Sequence, residues 1–269
     1  MITRLHMGFL LLAGTLTFSC QNSPSGPEGA VVLEKHTLEK SEGKDCDKPD
    51  TLRFDCAVID LSWPSVKEGN AALQKSVTAW TDDYLISILA PMAEEGSVPK
   101  SIDAAAKAFF AAHQEMAKEA PDSPMSSFIA ESVDTVLLND GRHLTLKIDG
   151  ETYMGGAHGS PTAAIATFDV KTGKKLSWDD LITDKVAVQK LAEKKFRSER
   201  LDIFQPGEDG SPAFNFDDTF QFKLPENYGL TAEGIYFSYL HYEVTPYALG
   251  RTDFVLTFEE LGALMKKVQ

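Results

Sequence analysis

The chain has 269 residues and a formal net charge of −14, with 40 acidic against 26 basic side chains. This charge argues against a protein that binds nucleic acid and against adsorption to an anionic membrane surface, because both ligands are polyanions. The length is sufficient for one large hydrophobic core or two small ones.

The N-terminal segment has the pattern of an export signal. Arg4 supplies a positive charge, and residues 7–16 form an apolar run that is short for a membrane span. Ser19 precedes Cys20, so the segment is similar to a bacterial lipoprotein signal that is cleaved before Cys20 and acylated on that thiol. An ordinary signal peptide cut nearby and an uncleaved anchor are the alternatives. We expect residues 1–19 to be removed and the chain to be exported and attached by lipid to the cell envelope, on its periplasmic side or at the cell surface.

The segment after Cys20 begins with a stretch rich in Ser, Pro, Gly and charge, which predicts a flexible tether over residues 20–45. Cys46 and Cys56 follow, ten positions apart, and in an exported protein they are most simply a disulfide that closes a short loop. The sequence contains no CxxC or HxxH spacing. We therefore assign no metal ligand and no cofactor.

Apolar residues recur at helical spacing in three long segments, residues 70–89, 101–118 and 184–201. Ser101 and Asp184 stand where N-caps are expected. A short terminal helix is predicted over residues 261–268. Strand-like runs occupy residues 52–64, 126–138, 143–153, 162–170, 214–222, 235–244 and 254–258. The turn signal Asn139-Asp140-Gly141 predicts a hairpin between two of these runs.

This distribution favours an α+β fold, with a mixed, mainly antiparallel sheet packed against about three helices in one compact, two-part unit. The run at residues 235–244 is apolar on both alternating faces, which predicts a central strand. Glu243 would then be buried near the end of that strand. A buried carboxylate needs a partner, and His158 or His241 would fit.

Two short motifs contain the candidate binding or fold-determining residues. The first is YMGGAH, with Tyr153, Gly155, Gly156, Ala157 and His158. The second is YEVTPYALG, with Tyr242, Glu243, Pro246, Tyr247, Ala248 and Gly250. Each has a structural interpretation: a glycine pair at a strained turn, a histidine fixed by a carboxylate, and tyrosines that lock the turn at Pro246.

With these motifs in this order, the chain resembles the exported domain family of unknown function found in the anti-sigma factor RsiV, in the accessory region of the peptidoglycan deacetylase PdaC and in many bacterial lipoproteins. The resemblance covers residues 51–266 and implies an N-terminal half at residues 46–160 and a C-terminal half at residues 161–269. RsiV-type domains bind lysozyme, which implies a basic muramidase or peptidoglycan as the partner here.

Three functions follow from these observations. The first, which the sequence favours, is an envelope binding module without a catalytic residue. The second is a cell-wall hydrolase that uses His158 and Glu243 in acid/base chemistry, although no nucleophile or metal set accompanies them. The third is a structural lipoprotein without a small ligand. An acidic surface cleft would favour the binding module, and a concave pocket that exposes both His158 and Glu243 would favour the hydrolase.

Overall fold

The computed structural model describes residues 29–49, 52–94, 96–119, 127–201 and 222–267. A five-stranded sheet is formed in chain order by β1 (Val32–Glu42), β2 (Ala57–Glu68), β3 (Phe128–Asn139), β4 (His143–Tyr153) and β5 (Ser160–Asp169). Strands β2 and β3 are parallel, and the other neighbours are antiparallel. The parallel pair needs a long crossover, which two helices provide.

These helices are α1 (Ala71–Leu89) and α2 (Ile102–Glu119), and they cover one face of the five-stranded sheet. The side chains between them and the sheet are apolar and fully buried, among them Leu61, Leu85, Phe109 and Ile148. The predicted cap of α2 is present, because Ala104 N–H donates to Ser101 Oγ (3.2 Å). Asn70 caps α1 by accepting from Leu73 N–H at its Oδ1 (2.8 Å).

The C-terminal half contains a second, antiparallel sheet in the order β6 (Asn227–Leu230), β7 (Gly234–Tyr239) and β8 (Thr252–Thr257). Its helices are α3 (Trp178–Leu181), α4 (Lys185–Glu199) and α5 (Phe258–Leu261). Asp184 caps α4 by accepting from Ala187 N–H at 3.0 Å. Phe196 of α4 packs edge-to-face on Tyr239 of β7, and both are buried in the core of this half.

The two halves of the molecule contact each other through hydrogen bonds and ion pairs, in addition to being covalently connected. Leu230 N–H donates to Thr167 Oγ1 of β5 (2.9 Å), and Arg251 forms an ion pair with Asp149 of β4. Gly229 lies so close to β4 and β5 that a Cβ there would come within 2.5 Å of Thr145 Cγ2. Glycine at this position therefore permits the contact between the sheets.

The α+β prediction is confirmed, and so is the mainly antiparallel sheet. The tether predicted for residues 20–45 is wrong for Val32–Glu42, which form β1. Strand β1 is a mostly exposed edge strand, so it has little of the apolar alternation that identifies a strand. The predicted end of the next strand at Pro64 is also wrong. β2 continues to Glu68, because β3 pairs with it only as far as Leu61 and the missing N–H of Pro64 lies beyond that pairing.

Three further boundaries differ from the predictions. The five-stranded sheet includes β5, so the N-terminal half extends to Asp169 and not to residue 160. Strand β7 ends at Tyr239, and the chain turns where the strand was predicted to continue to residue 244. The terminal helix is the four-residue α5 followed by a 3₁₀ turn at Gly262–Leu264. The strand predicted at residues 214–222 lies outside the described residues except for its last position.

Candidate functional site

Side chains from the two sequence motifs meet in one cluster of rings. His158 stacks on Tyr247 with ring centroids 3.9 Å apart and an interplanar angle of 21°. His241 and Tyr242 lie against the same tyrosine, at 4.6 and 5.8 Å. Tyr247 OH also donates to the carbonyl oxygen of Gly159 (3.3 Å). We call His158, His241, Tyr242 and Tyr247 the aromatic cluster.

The loop that carries His158 is shaped by the glycine pair of the first motif. Gly155 has φ 89° and Gly156 has φ 107°, values that side chains rarely adopt. Tyr153 OH donates to the carbonyl oxygen of Gly156 (3.0 Å), and His158 Nδ1–H donates to the carbonyl oxygen of Gly159 (2.8 Å). The glycines therefore turn the chain so that the imidazole lies over Tyr247.

The second motif forms a tight turn after β7. Tyr242 N–H donates to the carbonyl oxygen of Thr245 (3.0 Å), and a 3₁₀ turn at Tyr247–Leu249 ends at Gly250, whose φ is 72°. Tyr242 itself has φ 68°, which is the left-handed region and unfavourable for a tyrosine, and its side chain is 68% exposed. Pro246 precedes the 3₁₀ turn. Backbone strain at an exposed aromatic residue is often found at binding sites.

The predicted pairing of Glu243 with a histidine is wrong. Because β7 ends early, Glu243 lies in the exposed turn, and its Oε2 accepts from Leu240 N–H. Partial burial of this carboxyl group, with a contribution from the nearby Glu226, raises the pKa of Glu243. His158 and Glu243 share no hydrogen bond or ion pair in the part of the chain that the structure describes.

The open face of the five-stranded sheet forms an acidic groove of about 590 Å³. Its centre is a row of carboxylates on three adjacent strands, because Asp60 of β2 pairs in register with Glu131 of β3, which pairs with Glu151 of β4. Lys35, Thr37, Ser62 and Asp149 complete the lining with their neighbours. We call this surface the acidic groove.

The carboxylates of the row differ from the other charges of the groove in having no counter-ion. Asp149 forms ion pairs with Lys147 (2.8 Å) and Arg251, and Lys35 lies 3.4 Å from Asp134. Asp60, Glu131 and Glu151 have no ion pair among the described residues. Partial burial, together with the charges of Asp60 and Glu151, raises the pKa of Glu131. The open face thus concentrates negative charge.

The acidic groove and the aromatic cluster meet at Gly159. A Cβ at that position would lie 2.1 Å from Glu151 Oε1, so the carboxylate of the row packs closely against the loop backbone. The Gly159 carbonyl accepts hydrogen bonds from both Tyr247 and His158. A single ligand can therefore contact the carboxylate row and the exposed rings together.

The disulfide expected from the sequence is present, with Cys46 and Cys56 bonded 4.9 Å apart at Cα. Cys20 lies outside the described residues. Across the described ranges, no cluster of three or more His, Cys, Asp or Glu side chains is arranged to hold a metal ion. None of the helices in those ranges is both long and apolar enough to cross a membrane.

Sequence reasoning identified the aromatic cluster by its motifs but missed the acidic groove. Each carboxylate of the row is a single acidic residue with no charged residue beside it, as in Ile59-Asp60-Leu61, so each looks like the solvent-facing position of an ordinary strand. Only the register of β2, β3 and β4 aligns them. The signal that could have found them is acidic residues on the same face of successive predicted strands.

Comparisons with known proteins identify a family without a known activity. Residues 179–259 match the family model described as protein of unknown function (DUF3298). A DUF3298 family structure from Bacteroides fragilis is 22% identical, with a TM-score of 0.57, over 89% of this chain and 96% of that chain. A second, from Pseudomonas aeruginosa, is 17% identical with a TM-score of 0.57 over 88% of this chain and 96% of that chain. A comparison with curated proteins found no match. The expected relation to a family of unknown function is confirmed for residues 179–259, and the two structures support the fold alone.

Proposed function

We propose that this DUF3298-domain protein is a lipid-anchored, extracytoplasmic binding module of the bacterial envelope whose acidic groove takes a basic protein. The partner class that best fits is a lysozyme-like muramidase, which the resemblance to RsiV-type domains also implies. The observation that carries the proposal is the row of Asp60, Glu131 and Glu151, three neighbouring carboxylates without counter-ions on an uncovered sheet face.

Such a row is unfavourable for the isolated protein. Like charges directly opposite each other on adjacent strands destabilise a sheet, and the carboxyl group of Glu131 in the middle of the row is also partly removed from water. A ligand that brings Lys or Arg side chains into the acidic groove would remove this repulsion and replace it with charge-assisted hydrogen bonds. The overall charge of −14 would also accelerate the approach of a basic partner.

The aromatic cluster supports the same role at one end of the acidic groove. Exposed tyrosines provide a large, rigid contact area, and an Arg or Lys side chain is attracted to the face of an aromatic ring. The side chain of Tyr242 is 68% exposed, and its turn holds it in place before any ligand arrives. We expect it to be an anchoring residue for the partner.

Calorimetric titration with lysozyme tests the partner class. The chain from residue 20 onward, with Cys20→Ser to prevent acylation, contains every element of the fold and is the sample. Saturable binding that persists at physiological salt is the expected result, because a groove with aromatic contacts does not depend on long-range attraction alone. Binding that disappears at physiological salt would show that the interaction is only non-specific electrostatic attraction. Binding of glycan fragments in place of lysozyme would assign peptidoglycan as the ligand.

The anchor has its own test. Cells that express the full chain are labelled with radioactive palmitate, and we expect label on the wild type and none on a Cys20→Ala variant. Fractionation should place the wild type with membranes. A wild-type chain that is released without label would contradict the lipid anchor while leaving the binding role to be judged by calorimetry.

The hydrolase alternative has less support. His158 stacks on Tyr247 and donates to the carbonyl oxygen of Gly159, whereas Glu243 accepts from Leu240 N–H. The two side chains are therefore not positioned to exchange a proton with each other. If the wild type hydrolyses peptidoglycan and a His158→Ala variant does not, the hydrolase alternative would be supported.

A further inference from the structure

A second cavity lies where the β3–β4 hairpin meets the C-terminal half. It has a volume of about 380 Å³, within the range of small-molecule sites. Its walls come from the hairpin, from the turn between β6 and β7, and from α5 and the segment after it. We call it the hairpin pocket. It shares no lining residue with the acidic groove.

The hairpin pocket has an apolar interior. Leu138 and Leu230 face it from the two halves, and Phe258 and Met265 from the C-terminal segment. Phe258 remains 43% exposed although it is a large apolar side chain at the pocket wall. Covering such surface with an apolar ligand body is favourable, because it removes apolar area from water.

Cationic side chains outnumber acidic ones in the pocket by two to one, in contrast to the strongly acidic chain. Arg142 and Lys266 line it. Lys266 Nζ donates to the carbonyl oxygen of Asp179, whereas the Arg142 guanidinium has no hydrogen bond or ion pair to any residue that the structure describes. Asp140 is the acidic member, and its Oδ1 accepts from the backbone N–H groups of Arg142 and His143 (2.9 and 2.7 Å).

His143 adds an unsatisfied polar atom. The residue lines the pocket and is only 4% exposed. Its Nδ1 lies 3.7 Å from Asp140 Oδ2, whereas Nε2, on the opposite edge of the ring, has no hydrogen-bond partner among the described residues. A buried polar atom without a partner is unfavourable, which is why such atoms are rare in folded proteins. Because Nε2 itself has almost no accessible surface, the imidazole forms part of the pocket wall and is not a donor that a ligand reaches directly.

We propose that the hairpin pocket binds a small amphipathic carboxylate, with its apolar body against Leu230 and Phe258 and its carboxylate between the exposed cations Arg142 and Lys266. The two oxygens of a carboxylate match the fork of an arginine and leave lone pairs for the other donors. A neutral apolar molecule would make no charge-assisted hydrogen bond with Arg142 or Lys266, and a purely polar anion would leave the apolar wall in water. The ligand would contact both halves of the molecule.

The experiment is a titration of the ¹⁵N-labelled chain from residue 20 onward, with Cys20→Ser, using octanoate followed by two-dimensional NMR. We expect saturable shifts confined to the pocket, including the backbone of Ala232 and the ring nitrogens of His143. Octanol has the same apolar body without the charge, and we expect it to bind about tenfold more weakly or worse. The Arg142→Gln variant should bind octanoate more weakly by about the same factor, because the substitution removes the charge-assisted hydrogen bonds.

Two more variants complete the design. Lys267→Gln removes a charge from the neighbouring exposed position, which does not line the pocket, and should leave the affinity unchanged. Ala232→Trp places a large ring at the exposed rim of the pocket and should abolish the shifts while the spectrum remains that of a folded protein. The proposal is overturned if octanoate does not saturate, if octanol binds as well, if its shifts lie outside the pocket, or if Arg142→Gln and Lys267→Gln behave alike.

Discussion

The two faces of the five-stranded sheet are made from alternate residues of the same strands but differ in what covers them. On β2, Leu61 points toward α1 and α2 and is fully buried, whereas the preceding Asp60 lies in the acidic groove. On β4, Ile148 and Glu151 are divided in the same way. The helix-covered face therefore contains the buried apolar contacts that stabilise the N-terminal half. The carboxylates of the row, Asp60, Glu131 and Glu151, have no counter-ion among the described residues, and in our proposal they bind the basic partner.

The largest difference between the faces should appear in stability. Leu61→Ala on the covered face should lower the free energy of unfolding by about 2–5 kcal/mol, because it leaves a cavity between the sheet and the helices. Val133→Ala on the open face, where the side chain is 55% exposed, should change it by less than about 0.5 kcal/mol. Urea unfolding measures both. Similar losses for the two variants would mean that something covers the open face.

The disulfide should affect the fold without affecting the acidic groove. Cys56 immediately precedes β2, and its bond to Cys46 closes a loop with a sequence separation of 10 residues. Replacing both cysteines by serine should lower the free energy of unfolding by about 2–3 kcal/mol, since the unfolded chain gains freedom. Calorimetry with lysozyme should give an unchanged affinity. An affinity that falls together with stability would show that the loop positions the groove.

The smallest effect is a pH dependence that belongs to the open face. Burial and the neighbouring Asp60 and Glu151 raise the pKa of Glu131, so the folded protein takes up this proton before the unfolded chain does as the pH falls. The destabilisation is therefore fully present at neutral pH and is lost as the pH falls through the folded pKa. Glu131→Gln should be more stable than the wild type by a few tenths of a kcal/mol at neutral pH, and less so in acid.

Thermal unfolding of the wild type and of Glu131→Gln across this pH range checks the expectation. Glu34→Gln, at an exposed position on the edge strand β1 opposite Ser65 and away from the carboxylate row, is the matched control. If Glu131→Gln is less stable than the wild type at neutral pH, the carboxylate has a stabilising partner and the repulsion argument fails.

The sequence was sufficient for the parts of the fold that depend on local patterns. The caps at Ser101 and Asp184, the hairpin at Asn139-Asp140-Gly141 and the helical stripes are all visible within a few residues. Strand β1 was missed because its exposed, polar edge resembles a linker. The end of β7 was missed because the aromatic pattern continues through Tyr242, where the backbone turns.

The candidate sites also differ in how far local sequence patterns could predict them. The aromatic cluster was anticipated because its residues lie in two compact motifs, although the contact between His158 and Tyr247 depends on the tertiary fold. The acidic groove depends on the pairing of β2 with β3, which joins residues about seventy positions apart through a parallel register. No local pattern specifies such a register. The same holds for the hairpin pocket, whose walls come from four separate segments.

The most direct test of the account compares two triple variants with the same change in net charge. One carries Asp60→Asn, Glu131→Gln and Glu151→Gln in the acidic groove. The other carries Glu68→Gln, Glu119→Gln and Glu233→Gln at exposed positions outside the groove lining. The account predicts that, at physiological salt, lysozyme binding measured by calorimetry falls at least tenfold in the first variant and is retained in the second. Equal losses in the two variants, or none in the first, would contradict recognition through the acidic groove.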